Sequence, residues 1–142
     1  LLDPDTGSDE RFRQLMRGYA TAHVGGVMST RSFENAVDEA FGEPMDWFFD
    51  QWVYGVEVPT YDVDLDVRTE SDGYVLEGTV RQRDVSAGFR MPVPIHLTFE
   101  NRPPMLRRIW VDEEEVRVSL PLPARPRRVD FNYHHAVLAK IR

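Results

Sequence analysis

The spacing of apolar residues changes once along the chain, from a helical period to strict alternation. Up to Gly55 the apolar residues recur at intervals of three and four, which predicts helices. Breaks at Gly25–Gly26 and at Gly42 divide this part into three helical segments. The apolar positions of the first two segments are Phe12, Leu15, Met16 and Tyr19, followed by Phe33, Ala36, Val37, Ala40 and Phe41.

Residues suited to helix ends stand at the predicted boundaries. Ser8 and Thr30 are placed to cap the first and second helices at their N-termini. Pro44 is tolerated in the first turn of the third helix, and Gly55 is placed to end it.

From Pro59 onward, apolar and polar residues alternate, which predicts β-strands. Six or seven short strands at regular intervals, with no helix between them, favour an antiparallel, immunoglobulin-like sandwich. Pro92 and Pro94 share one side of their strand, which suits an edge strand or a bulge and not a central strand. The predicted strands are residues 60–67, 74–80, 89–99, 105–111, 115–122, 127–131 and 136–141.

The predicted fold class is therefore α+β, with a boundary between Val58 and Pro59. Residues 1–58 form the helical segment, and residues 59–142 form the β-sandwich domain. The third helix carries an aromatic run with Asp46 and Asp50 on its other side, so packing against a core is favoured over a ligand-stacking platform. The expected apolar stripe is Met45, Phe48, Phe49, Trp52 and Val53.

Composition narrows the functional classes. The 42% hydrophobic and 29% charged residues fit a folded globular protein. A net charge of −7 disfavours nucleic-acid binding, despite the short basic groups at Arg107–Arg108 and at residues 125–128. The absence of cysteine excludes disulfides and thiolate metal sites. No apolar run is long enough to span a membrane, no signal peptide is evident, and the missing initial Met suggests a piece of a longer chain.

The histidines and carboxylates do not form a recognisable catalytic or metal-binding pattern. His134 and His135 are adjacent, so their side chains are expected to diverge on a surface loop, and His96 is expected to face solvent. Asp62, Asp64 and Asp66 lie about 7 Å apart along one strand face and would need further oxygens to bind calcium. The acidic run at residues 112–115 is expected in an exposed turn, and Glu34, Asp38 and Glu39 on a helix surface.

Residues 29–59 and their surroundings resemble the end of the catalytic domain in aminopeptidase N-like zinc metallopeptidases of the gluzincin group. In that family a helix that carries Phe-Phe-x-Gln-Trp is followed by a Pro that opens a β-sandwich domain. The resemblance extends back to Phe12 and Tyr19 and forward through residues 60–65, 89–97 and 119–132. The matching positions are Ser29, Thr30, Phe33, Gly42, Trp47, Phe48, Phe49, Gln51, Trp52 and Pro59.

The resemblance implies a non-catalytic C-terminal fragment of a hydrolase. Gluzincin chemistry uses His-Glu-x-x-His and a further Glu ligand, with zinc-activated water as nucleophile. None of the four histidines, including His23, stands in such a motif. We therefore expect no catalytic, cofactor-binding or metal-binding residue in this chain, and zinc in the full-length parent, which would remove residues from the N-terminus of peptides.

The expected partner is the upstream catalytic domain of the same polypeptide, which the chain would support structurally. Without that domain, Phe12, Leu15, Phe33 and Val37 are expected to lose part of their cover, which favours a homo-oligomer formed through the helices. The alternative is a stand-alone immunoglobulin-like module that binds a protein or glycan. An enzyme that uses its own carboxylates has no supporting residue spacing.

Overall fold

The computed structural model describes residues 8–71 and 73–142. Helices come first and β-sheets come after them, which confirms the α+β class and the sandwich-like sheets. The chain divides into two compact units, Leu1–Val56 and Glu57–Arg142, so the division falls two residues before the predicted boundary. Within the described residues, no helix combines the length and the apolar character that crossing a bilayer requires.

The helical unit contains α1 (Glu10–Ala22), α2 (Thr30–Phe41) and α3 (Asp46–Phe49), which continues as a π-helical segment, Asp50–Tyr54. Ser29, not Thr30, caps α2. Its side chain accepts a hydrogen bond from the Ser32 amide at 3.1 Å, and the Ser32 hydroxyl accepts one from the Ser29 amide at 3.1 Å. This reciprocal pair satisfies two amides that the helix leaves unbonded, so α2 begins one residue later than its cap.

The helical unit has a hydrophobic core of its own. Leu15, Val37, Met45 and Phe49 are buried and contact one another in a single cluster. The expected loss of cover is therefore wrong for Leu15 and Val37, because α1, α2 and α3 supply that cover themselves. Phe12 and Phe33 are half-buried against the same cluster.

The aromatic run follows the predicted stripe only in part. Phe49 is buried and Asp50 is exposed, as the stripe requires, but Val53 is 49% exposed and Trp52 is half-buried. The reason is the π-helical segment, whose hydrogen bonds span five residues instead of four and rotate the positions after Phe49 away from the predicted face.

All seven predicted strands are present in the second unit, although the last is short. It contains only Lys140–Ile141 of the predicted 136–141. The strands are β1 (Thr60–Glu70), β2 (Gly73–Arg83), β3 (Met91–Thr98), β4 (Met105–Val111), β5 (Glu115–Leu122), β6 (Arg128–Phe131) and β7 (Lys140–Ile141).

The strands form one four-stranded and one three-stranded sheet. The strand order is β5-β2-β1-β7 in the first sheet and β4-β3-β6 in the second. Adjacent strands are antiparallel except β1 and β7, which are parallel. The larger sheet is therefore mixed, and the expectation of a purely antiparallel sandwich is wrong for the β1–β7 pair. Leu76, Ile95, Leu97, Phe99 and Leu122 form the buried core cluster of this unit.

The expectation that the proline-containing strand is not central is wrong, because β3 lies between β4 and β6. The register explains how the prolines are tolerated. Met91–Leu97 pairs with β4, whereas β6 pairs only with Ile95–Thr98. Pro92 and Pro94 therefore lie in the half of β3 that pairs with β4 but not with β6. On the side without a partner strand, a missing N–H removes no hydrogen bond between strands.

Candidate functional site

A strained turn follows β6 and shapes the most distinctive surface of the second unit. Asn132, His134 and His135 have positive φ values of 54°, 58° and 51°. Non-glycine residues seldom adopt this left-handed conformation, and such strain persists only where surrounding contacts hold it. Three instances within four residues mark this turn as a segment that the rest of the unit holds in place.

The side chain of Asn132 holds this turn in place. Asn132 is 3% exposed, and its amide nitrogen donates to the Val137 carbonyl at 2.9 Å. Its carbonyl oxygen accepts from the Val137 amide at 3.0 Å. This two-bond clasp closes the loop across residues 133–136 and fixes the direction in which Tyr133 and the histidines leave the backbone.

Tyr133 and two histidines form a ring cluster on the outer side of β3. The rings of His96 and Tyr133 are stacked, with centroids 4.1 Å apart and planes inclined by 14°. The Tyr133 and His134 centroids are 4.0 Å apart. The expectation that His96 faces solvent is wrong, because its side chain is half-buried. Its Nδ1 is buried without a hydrogen-bond partner among the described residues.

The neighbouring strand adds an ion pair to this cluster. In the β3–β6 register, His96 faces Asp130 and Thr98 faces Arg128. The Arg128 Nε lies 2.6 Å from the Asp130 Oδ1. Together these groups line an open groove of about 610 Å³. The lining residues are His96, Thr98, Arg128, Asp130, Phe131, Asn132, Tyr133, His134 and His135.

A second groove, of about 510 Å³, lies between the loop after β2 and the turn between β4 and β5. It is acidic, because Asp84 and the exposed residues 112–114 line it. The Thr60 hydroxyl donates to the Asp84 Oδ2 at 2.6 Å, so this carboxylate already has a structural partner. The turn at 112–114 is where the sequence predicts it, whereas Glu115 begins β5 and pairs with Arg81 at 2.5 Å.

Glu57 does not line this second groove but forms hydrogen bonds to the loop that makes one of its walls. Its carboxylate accepts from the Ser86 amide at 3.0 Å and from the Ser86 hydroxyl at 2.7 Å. These hydrogen bonds from Ser86 lower the pKa of Glu57 below its usual value, because they favour the charged form. The interaction holds the loop after β2.

The remaining carboxylates singled out in the sequence are either exposed or form ion pairs and hydrogen bonds with neighbouring residues. Asp64 and Asp66 are exposed on β1, and Asp62 forms an ion pair with Arg83. In the helical unit, the Tyr54 hydroxyl donates to Glu34 at 2.6 Å, and the Met45 amide donates to Asp38 at 2.8 Å. Glu34 and Asp38 therefore tie the third helical segment to α2, and Glu39 is exposed.

The histidines do not assemble into a metal site in the part of the chain that the structure describes. His23 lies on the helical unit, where its Nδ1 is 2.9 Å from the Tyr19 carbonyl. His134 and His135 are exposed. No group of three or more His, Cys, Asp or Glu residues within 8–71 and 73–142 is arranged to hold a metal ion.

Sequence reasoning did not find the groove on β3 and β6. It treated His96 and His134–His135 separately and gave no role to Asn132, Tyr133 or the Arg128–Asp130 pair. Only the run Asn-Tyr-His-His hinted at an unusual turn, because asparagine tolerates the left-handed conformation better than most residues.

The fold is similar to part of a solved peptidase structure. The aminopeptidase A of Legionella pneumophila, crystallised in complex with aspartic acid, matches with a TM-score of 0.67 and 15% sequence identity. The match covers 95% of this chain and 16% of that chain, so the present chain spans about a sixth of the length of the protein that it resembles. At this identity the likeness establishes the fold alone. No family model and no curated protein sequence matches the chain.

Proposed function

We propose that the chain is a non-catalytic part of an aminopeptidase N-like zinc metallopeptidase and supports the catalytic domain of that protein. The observation that carries the proposal is the match to an aminopeptidase over 95% of this chain. The match includes both the helices and the sheets, so it involves the succession of the two units and not a common sandwich alone. The same succession is what the residues from Ser29 to Pro59 led us to expect.

In this proposal the parent, and not this chain, performs the chemistry. Zinc in the upstream domain would activate the water that attacks the peptide bond. The chain itself would contribute no ligand and no general base. Its role would be to pack against the upstream domain and to fix the position of any domain downstream of it.

The upstream domain of the same polypeptide is the partner that we propose for the helical unit. Several apolar side chains of this unit are exposed although its core is complete. They are Met16 at 41%, Met28 at 54%, Val24 at 84% and Val27 at 89%. Separate copies of the chain could instead associate through these side chains. The homo-oligomer is therefore the alternative to the upstream domain as the partner of this surface.

The stand-alone interaction module is the second candidate, and one observation favours it. The helical unit is compact and has its own buried cluster, so it does not depend on a missing domain for a core. A module of this kind would act through a surface groove and not through a parent enzyme.

Reading the coding sequence upstream of Leu1 separates the two candidates. The peptidase proposal expects an open reading frame that encodes His-Glu-x-x-His on a predicted helix, about one to two hundred residues before Leu1, and a further Glu downstream of it. A frame that begins close to Leu1, or a long upstream frame without the motif, would favour the stand-alone module.

A further inference from the structure

We propose that the groove between β3, β6 and the strained turn binds a small molecule through a phosphate or carboxylate group. This inference concerns the second unit alone and does not depend on the peptidase proposal.

Hydrogen-bond donors dominate the groove. The lining includes several groups that can donate hydrogen bonds, namely the Arg128 guanidinium, the Thr98 and Tyr133 hydroxyls and the imidazoles of His96 and His134. Asp130 is the one carboxylate in the lining, and Arg128 already neutralises it at 2.6 Å. An oxyanion offers several acceptors to such a set of donors, and a guanidinium binds phosphate or carboxylate in a two-pronged manner.

Two further arginines lie close to Arg128 in sequence. Arg125 and Arg127 precede Arg128 and are exposed, whereas the chain as a whole carries a net charge of −7. Neither lines the groove, whose one arginine and one carboxylate balance each other, so any attraction of anions by these arginines acts from beside the groove.

The turn and two of the rings that line the groove are held in position before a ligand arrives. The Asn132–Val137 clasp fixes the strained turn, and the stacking of His96 on Tyr133 orients both rings. Rigid donors lose little conformational entropy when they bind, which strengthens binding for the same contacts. Because His96 Nδ1 is buried, any hydrogen bond from this ring to a ligand would involve Nε2.

The size and the ring contacts limit the ligand class. A volume of about 610 Å³ lies in the range of small-molecule sites. The Tyr133 ring already contacts two imidazoles, so it does not offer a free stacking platform to a sugar or base. The described histidines and carboxylates form no metal site there. An anionic small molecule is the ligand class that matches the donors in the lining.

Chemical-shift titration of the histidine rings tests the proposal on the purified chain. Inorganic phosphate and succinate are added separately, with ionic strength held constant with sodium chloride, so that phosphate and carboxylate ligands are distinguished. We expect saturable shifts of the His96 and His134 rings with at least one of the two anions, with a midpoint below about 1 mM. His23, in the helical unit, should not shift.

Three variants decide whether the shifts arise in the groove. Arg128→Gln should weaken binding about tenfold or more, because a charged hydrogen-bond donor is lost. Asp130→Asn should strengthen it, because Arg128 loses its competing carboxylate. Arg117→Gln, which removes the same charge from exposed β5 outside the groove, should leave binding unchanged.

Two results would overturn the proposal. One is the absence of saturable shifts with both anions. The other is equal weakening by Arg128→Gln and Arg117→Gln, which would mean that the anions respond to net charge and not to a site. If Arg128→Gln reduces stability, Asp130→Asn still tests the proposal, because this variant is expected to strengthen binding and not to weaken it.

Discussion

The side chain of Asn132 bonds both backbone polar atoms of Val137, at 2.9 Å to the carbonyl and 3.0 Å to the amide. One amide side chain thus takes the place of a strand partner and closes a turn in which Asn132, His134 and His135 all have positive φ. The groove lined by His96 and Arg128 depends on this closure, because the turn supplies one of its walls.

Asn132→Ala should therefore destabilise the protein by about 2–4 kcal/mol, since two buried hydrogen bonds are lost and alanine tolerates the left-handed conformation poorly. Urea denaturation measures this loss. Asn101→Ala, at an exposed loop position, serves as the control and should change stability by less than about 0.5 kcal/mol. Equal effects of the two substitutions would show that the clasp does not hold the turn.

Gly78 should be irreplaceable, whereas Gly18 should not. Gly78 has a φ of 148°, and a Cβ there would collide with the Asp64 carbonyl on the adjacent strand β1. Gly18 lies inside α1 with open space around it. We expect Gly78→Ala to cost about 3 kcal/mol or more, and Gly18→Ala to stabilise by about 0.5–1 kcal/mol. Thermal melts of the two variants provide the comparison, and a harmless Gly78→Ala would contradict the described β1–β2 packing.

Stability should fall in alkaline solution because of Tyr61. Its side chain is fully buried, and this burial raises its pKa above the usual value of about 10. Above pH 10 the unfolded chain loses the phenolic proton while the folded protein keeps it, so the free energy of unfolding declines by up to about 1.4 kcal/mol per pH unit. Tyr61→Phe should remove this contribution. Urea denaturation of both proteins between pH 9 and 11 tests it, and identical slopes would be the contrary result.

The two sides of the third helical segment should differ in their contribution to stability. Phe49 is 4% exposed in the core of the helical unit, so Phe49→Ala should cost about 3–5 kcal/mol. Asp50 is exposed, and Asp50→Ala should change stability by no more than about 0.5 kcal/mol. Trp52→Ala should fall between them, because Trp52 is half-buried. If Asp50→Ala lowers the free energy of unfolding and Phe49→Ala does not, the buried and exposed faces of this segment are assigned the wrong way round.

The periodicity of the sequence predicts most of the fold. Alternation located β1 to β6, since a strand with one buried face shows its burial directly in the order of residues. The seventh strand, which the sequence left open, contains only two of the six residues proposed for it. Periodicity did not reveal that β3 is central, because strand order depends on pairing between segments far apart in sequence. It also did not reveal the π-helical segment after Phe49, where the helix period itself changes.

The groove was beyond reach of sequence reasoning for a similar reason. His96 and Tyr133 lie 37 positions apart, and only the β3–β6 register brings them into contact. The positive φ values of His134 and His135 have only a weak signature in residue type, because histidine is enriched in the left-handed conformation but still seldom adopts it. By contrast, the absence of His-Glu-x-x-His can be read from the sequence alone, and the proposal of a non-catalytic part depends on it.

The zinc content of two purified polypeptides tests the peptidase proposal most directly. One is the present chain, and the other is the same chain extended by the coding sequence that precedes Leu1. Elemental analysis and release of N-terminal residues from peptides are measured on both. We predict no bound zinc and no activity for the present chain, but about one zinc per molecule and metal-dependent activity for the extended one. Stoichiometric zinc in the present chain, or an extended polypeptide with neither zinc nor activity, would contradict the account.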